Sequence, residues 1–288
     1  MKILLLASGG DAPGMNYCLF QICKKLKKHE LYFCYYGYKG LFENNIKKAD
    51  LSFLKNQKDI AGVCIKTARF EDFKNDDVQN VAVENVKKHG FDVVIVLGGD
   101  GTHKGAVELC QKGVNVVFIP TTVDNDMCYE CQTIGFETAV FATCQYVKNV
   151  MTSMESFDRS CVFQVMGRYN DSIAKKSGKI LGADLVVTPD NIDDFENFTL
   201  KENQKSHVCI LQEKMVDIED FAKKLSNKFQ TEFRYAIVGY VQRGTSPTKA
   251  EKQICSIYAD LACKNILDKN YNIALSVLGD KKSWHKIV

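Results

Sequence analysis

The chain is predicted to be an α/β protein of two lobes, each a mostly parallel sheet flanked by helices, with an active site in the cleft between them. Three observations predict it. Short apolar runs rich in Val, Ile and Leu, of which Val93–Leu97 is the clearest, alternate with longer segments of helical period. Runs of that kind are strands covered on both faces, and repeated strand–helix alternation gives parallel sheets, because a parallel pair needs a crossover. The polar clusters Ser8–Asp11, Gly98–Thr102, Thr121–Asp126, Met166–Arg168 and Gln242–Arg243 each follow a strand, which is where such folds bind ligands.

Taken in order, Lys2–Ala7 is the first strand, followed by the glycine-rich turn Ser8–Gly14 and an amphipathic helix to about His29. Leu31–Tyr36 is a strand; Leu51–Phe73 has no clear period. Asp76–His89 reads as a helix, with Val78, Val81 and Val86 on one side and Gly90 as its stop. The strand Val93–Leu97 runs into Gly98-Gly99-Asp100-Gly101-Thr102 and a helix over His103–Gln111. Val114–Ile119 is the next strand, and a helix of about twenty residues follows Gly135 to Ser153. Strands at Cys161–Val165, Leu185–Val187, Val208–Leu211 and Ala236–Tyr240 alternate with helices near Ser172–Leu181, Ile218–Phe229 and Lys249–Leu267. Ile273–Leu278 is the last predicted strand.

Composition narrows the function classes. With 288 residues, 45% hydrophobic, 25% charged and four prolines, the chain can bury a large core and has little disorder. A net charge of +3 argues against a nucleic-acid or membrane surface, so any anion site must be local. The twelve cysteines are scattered through apolar segments, which suits free thiols in a reducing cytoplasm. Cys128 and Cys131 form a C-x-x-C with no second Cys/His pair at zinc spacing, so a metal or redox role is the minor reading. The apolar run Ile3–Ala7 is too short for a secretory leader, and no window approaches a membrane span.

The chemistry gathers at strand ends. A strand, a glycine turn and a helix start leave backbone N–H groups without intrahelical acceptors where a phosphate can sit. Asp100 adds the hard oxygen that Mg²⁺ prefers. Asp124 and Asp126 follow the next strand, so neighbouring parallel strands would bring the carboxylates together, one as metal ligand and another as general base. For Asp124–Asp126 alone, a solvated turn would be the ordinary reading. Of 38 basic residues only Arg69, Arg159, Arg168, Arg234 and Arg243 are arginine. Guanidinium grips phosphate bidentately as an ammonium cannot, which gives a reason for keeping it at these places.

The motifs Ser8–Asn16 (SGGDAPGMN), Leu97–Thr102 (LGGDGT), Thr122–Asp126 (TVDND), Thr133–Ala139 (TIGFETA), Met166–Arg168 (MGR) and Gly239–Pro247 (GYVQRGTSP) resemble, in order, those of the 6-phosphofructokinase family. NAD kinases and diacylglycerol kinases share the GGDGT turn but not the later motifs. The resemblance implies ATP-dependent phosphorylation of the 1-hydroxyl of fructose 6-phosphate, with ATP as donor and Mg²⁺ as cofactor. It implies a nucleotide- and Mg-binding lobe of residues 1–136 plus about 250–288, and a sugar-phosphate lobe of about 137–249. Asp124 would be the base, with Asp126 and Thr122 beside it, and Asp100 would hold Mg²⁺. Gly9, Tyr38, Arg69, Gly99, Gly101 and Thr102 would bind the nucleotide, and Arg69 and Arg168 would stabilise the transferring group. Met166, Gly167, Arg168 and Glu213 would meet the sugar; Arg159, Arg234, Tyr240 and Arg243 would hold its 6-phosphate. Arg159 and Arg234 would serve a neighbouring subunit, implying a cytoplasmic homo-oligomer, dimer or tetramer.

The sequence departs from the family pattern in places. Thr121 replaces the glycine of ATP-using members, where pyrophosphate-using members carry lysine; Gly101 is the ATP-like choice, so a pyrophosphate donor stays open as the alternative. Tyr240 stands where a histidine is usual. The chain stops soon after its last predicted strand, which leaves a weakly active or regulatory homologue as the other alternative. At the family's second anion site, Phe20, Lys24, Ile60, Gln204 and Lys205 replace a more basic set.

Overall fold

The computed structural model describes residues 1–287, which divide into two compact units. The first contains Met1–Thr122, Met127–Gly135 and the chain from Ser246 onward; the second contains Val123–Asp126 and Phe136–Thr245.

In chain order the first unit begins with β1 (Lys2–Ala7), α1 (Met15–Lys25), β2 (Glu30–Cys34), α2 (Gly37–Phe42), β3 (Ile46–Lys48), α3 (Leu51–Gln57) and α4 (Asp76–His89). It continues through β4 (Val93–Gly98), α5 (Asp100–Gln111), β5 (Val116–Thr122) and the short β6 (Ile134–Gly135). The second unit holds α6 (Phe136–Glu155), β7 (Ser160–Val165), α7 (Ser172–Leu181), β8 (Leu185–Val187), β9 (Val208–Gln212), α8 (Ile218–Phe229), β10 (Phe233–Ile237) and α9 (Val241–Gly244). The chain then returns to the first unit with α10 (Lys249–Leu267), β11 (Ile273–Leu278) and β12 (Lys281–Lys286).

The first unit is an eight-stranded sheet in the order β12-β11-β5-β4-β1-β2-β3, with β6 beside β5. Its centre is parallel, and β4 is buried along its whole length, as an apolar run between two neighbours must be. One face is closed by α1 and α10, where Leu19, Ile22, Tyr258 and Ile266 pack on Ile3, Leu5, Ile95 and Leu275. The other is closed by α4 and α5, where Val83, Val86 and Leu109 pack on Leu4, Val94 and Phe118. The second unit has a four-stranded parallel sheet, order β10-β7-β9-β8. Phe221, Ala222 and Leu225 of α8 cover one of its faces. Asp217 and Thr248 cap α8 and α10, their side chains accepting from the backbone N–H three residues on.

Several elements correct the sequence reading. α5 begins at Asp100 rather than His103, so Asp100–Thr102 form its first turn. β10 lies three residues earlier than Ala236–Tyr240, because Gly239, at φ 57°, turns the chain before Tyr240. α1 ends at Lys25, short of His29. Ile273–Leu278 is followed by the antiparallel β12, so it is not the last strand.

Candidate active site

In the first unit two glycine turns are locked to each other. β1 and β4 are neighbours with Ala7 opposite Leu97, and the Ser8 N–H donates to the Leu97 carbonyl at 3.1 Å. Gly9 has φ 85°, and a Cβ there would come within 3.0 Å of Thr102 Oγ1. Thr102 Oγ1 donates to the Ser8 carbonyl at 2.9 Å, and a Cβ on Gly98 would sit 2.4 Å from the same oxygen. The turns therefore close only with glycine, and no side chain holds a phosphate away. The Gly9 N–H donates to the Ala68 carbonyl at 3.1 Å and Thr67 Oγ1 to the Gly9 carbonyl at 2.9 Å, which places exposed Arg69 beside the turn.

Asp100, the first residue of α5, has a quarter-exposed carboxylate 2.8 Å from Lys104 Nζ. Beside it Gly101 is exposed, and a Cβ there would meet nothing within 4 Å. A hard oxygen donor next to open space fits Mg²⁺, which fills most of its shell with water and phosphate oxygens. Gly99 lies against Thr122, a Cβ there coming within 3.4 Å of the Thr122 Cβ, just beyond the paired ends of β4 and β5. Thr121 Oγ1 is buried and has no hydrogen-bond partner among the described residues. Tyr38 was expected at the nucleotide, and the structure places it under the Thr102 turn. It is 4% exposed, stacks on Phe73 at 4.2 Å and donates its hydroxyl to the Thr102 carbonyl at 2.7 Å, so it braces the turn from beneath.

The second unit gathers the other candidates around Asp124. That carboxyl is buried and pushed up to about 6, first by burial, then by the charge of Asp126, with Glu213 adding and Arg243 and Arg168 opposing. A base in that range keeps real proton affinity near neutral pH. Asn125, at φ 53°, accepts at its carbonyl from Asn170 Nδ2 at 3.3 Å, which ties the Asp124 segment to the Met166–Asn170 loop.

That loop is strained and held on three sides. Arg168 has φ 55°, and a Cβ on Gly167 would lie 2.3 Å from the Asn170 carbonyl oxygen. The Met166 N–H donates to Gln242 Oε1 at 2.9 Å. Glu213 Oε1 accepts from the Arg168 N–H at 2.9 Å and the Gly167 N–H at 3.3 Å. Gln212 Nε2 donates to the Arg168 carbonyl at 3.3 Å. Glu213, expected to meet the sugar, thus also fixes the loop with one oxygen. Gln212, fully buried, escaped the sequence reading, the available signal being a polar residue closing an apolar strand; Gln242, also fully buried, was named there only as part of a polar cluster and without this role. Arg159 Nε and Arg234 Nη2 share Glu232, at 2.7 and 2.6 Å, and Tyr240 is 84% exposed. The backbone of α9 carries Arg243, whose N–H donates to the Tyr240 carbonyl at 3.0 Å.

Glycine turns with a carboxylate at a helix start, together with a high-pKa buried carboxyl among arginines, are the parts of an α/β phosphotransferase. The family model for phosphofructokinase matches residues 2–266, and the chain belongs to that family. An ATP-dependent 6-phosphofructokinase of Lactobacillus gasseri is 33% identical over all of this chain and 92% of its own length. Among solved structures, phosphofructokinase from Saccharomyces cerevisiae superposes with a TM-score of 0.88 at 22% identity, over all of this chain and 44% of the yeast chain. A pyrophosphate-dependent phosphofructokinase from Marinobacter aquaeolei has a TM-score of 0.84 at 16% identity, over 99% of this chain and 81% of its own; both likenesses concern the fold. Among the described residues no helix is long and apolar enough to cross a membrane.

Proposed function

We propose that this protein transfers the γ-phosphoryl group of ATP to the 1-hydroxyl of fructose 6-phosphate, forming fructose 1,6-bisphosphate and ADP. The observation that carries this reading is Asp124, a buried carboxyl pushed up to about 6 with Arg168, Arg243, Glu213 and Asp126 around it. Such a carboxyl can take the proton of an attacking hydroxyl, a contribution of ~10²–10⁴-fold. Asp126 raises its basicity through like charge, and Thr122 lies at the end of the strand that leads to it.

The Gly99–Thr102 turn at the start of α5 cradles the nucleotide phosphates with backbone N–H groups, Gly9 leaves the space beside it open, and Tyr38 keeps Thr102 in place. Asp100 would hold Mg²⁺, which supplies charge neutralisation between the phosphates. Arg69 and Arg168 balance the charge that spreads over the transferring group, the chief protein contribution in phosphoryl transfer. Met166, Gly167, Arg168 and Glu213 receive the sugar. Arg243 and Tyr240 meet its 6-phosphate, with Arg159 and Arg234 serving a neighbouring copy in a dimer or tetramer. The open space at Gly101 supports ATP as donor, since an aspartate there would face the nucleotide phosphates. The protein is assigned to the cytoplasm with its family. A donor panel tests the reading: phosphorus NMR of mixtures with fructose 6-phosphate, Mg²⁺ and either ATP or pyrophosphate should show the bisphosphate from ATP. Faster product formation from pyrophosphate would overturn the choice of donor.

A further inference from the structure

Arg168 stands in the left-handed region, at φ 55°, where a residue with a Cβ is resisted, so its backbone has to be held from outside. Two adjacent residues at the end of β9 hold it. Glu213 Oε1 accepts from the Arg168 N–H at 2.9 Å, and Gln212 Nε2 donates to the Arg168 carbonyl at 3.3 Å. The peptide planes before and after Arg168 are thereby fixed together. Strand register makes this reach possible, because β9 lies beside β7 with Gln212 opposite Val165, where the Met166–Asn170 loop begins. On the other side of β7, beyond the end of its neighbour β10, Gln242 Oε1 accepts from the Met166 N–H at 2.9 Å.

These two amides do not serve the fold. Only a nitrogen can face a carbonyl and only an oxygen an N–H, so the backbone decides which way each amide points. That leaves Gln212 Oε1 and Gln242 Nε2 buried with no hydrogen-bond partner among the described residues. A buried polar atom without a partner is destabilising, and an apolar side chain of the same length would avoid it. Position 212 favours such a side chain, since Cys209, Ile210 and Leu211 before it are fully buried. Arg168 is exposed, so its carbonyl could turn to water if the amide were gone. We infer that Gln212 is a positioning residue, kept in the core to hold Arg168 in its left-handed turn so that the guanidinium meets fructose 6-phosphate. The inference rests on the proposed role of Arg168 at the sugar phosphate. It explains an amide where stability alone asks for a hydrocarbon.

The test compares Gln212→Met with the parent protein. Methionine keeps the length of the side chain and removes the orphaned oxygen, so the melting temperature should stay level or rise. The kcat/KM for fructose 6-phosphate should fall by about 10²-fold, the order that a small misplacement of a substrate-positioning group costs. The KM for ATP should stay within a few-fold of the parent's. Arginine occurs at five positions, so arginine-selective ¹³C labelling gives five backbone Cα signals, whose positions report φ and ψ. The Arg168 signal, assigned by its loss in Arg168→Lys, should leave its parent position in Gln212→Met while the other four stay. That spectrum needs no turnover. A parent protein inactive on fructose 6-phosphate would remove the proposed function, and the spectrum would still decide whether Gln212 holds Arg168. A variant that melts lower or fails to fold would make Gln212 a structural residue. That result, an unmoved Arg168 signal, or a kcat/KM for fructose 6-phosphate within a few-fold of the parent's would overturn the inference.

Discussion

Replacing Asp124 by Asn tests the base through stability as well as rate. In the folded protein the Asp124 carboxyl is pushed up to about 6 from an ordinary value of 3.8. Between those values the unfolded chain has released its proton while the folded protein keeps it, so stability falls as pH rises through that window. Below about pH 4 the penalty is absent, and above about pH 6 it is complete. At ~1.4 kcal/mol per pH unit it amounts to about 3 kcal/mol. Asparagine keeps the shape and carries no charge, so Asp124→Asn should be about 3 kcal/mol more stable than the parent near pH 8. That corresponds to a melting temperature higher by on the order of 5–10 °C, with the gap closing toward pH 4. Turnover should fall ~10²–10⁴-fold while the KM for fructose 6-phosphate stays within a few-fold. Urea unfolding at several pH values and initial rates would measure both. A variant less stable than the parent at pH 8, a pH-independent difference, or near-parent turnover would refute the reasoning.

Other consequences follow from neighbouring residues. The parent enzyme's kcat/KM should lose activity below about pH 6, where Asp124 takes up its proton; a flat profile down to pH 5 would remove Asp124 as base. Thr121→Val should leave stability unchanged or raise it by about 1 kcal/mol, since it deletes a buried hydroxyl without a protein partner; a clear loss in a thermal melt would show that the hydroxyl is satisfied. Glu213→Ala should free the Gly167 and Arg168 N–H groups and raise the KM for fructose 6-phosphate at least tenfold, with little change in the KM for ATP; equal effects on both would contradict its place in the sugar site. Because Phe20, Ile60 and Gln204 supply no cation at the family's second anion site, the rate should depend hyperbolically on fructose 6-phosphate. Millimolar ADP or phosphoenolpyruvate should barely move that dependence, and a sigmoidal curve shifted several-fold by either would refute it.

The sequence was informative where one physical signal dominates. The Val93–Leu97 run is apolar on both faces and could only be a central strand, and it is one. The helix of Lys249–Leu267 has a Thr248 cap and a long apolar stripe, and its bounds were read without error. β12 was not legible, because its residues Lys-Lys-Ser-Trp-His-Lys lack the apolar alternation of a half-buried strand; only the antiparallel pairing with β11 makes them one. α3 was legible in principle, since Asp50 caps it by accepting from the Ser52 and Phe53 N–H groups, but one apolar residue, Leu54, is all it buries. In the candidate site, carboxylates and arginines announce themselves by charge. Gln212, Gln242 and Tyr38 act by holding backbone, through contacts far apart in sequence, and neutral side chains give little warning of such work.

Release of ADP by the purified protein, with fructose 6-phosphate present or absent, tests the central claim most directly. With ATP and Mg²⁺ the account predicts rapid ADP release that requires the sugar phosphate and is matched mole for mole by fructose 1,6-bisphosphate. ADP release indifferent to fructose 6-phosphate, or none with both substrates at saturating concentration, would contradict it.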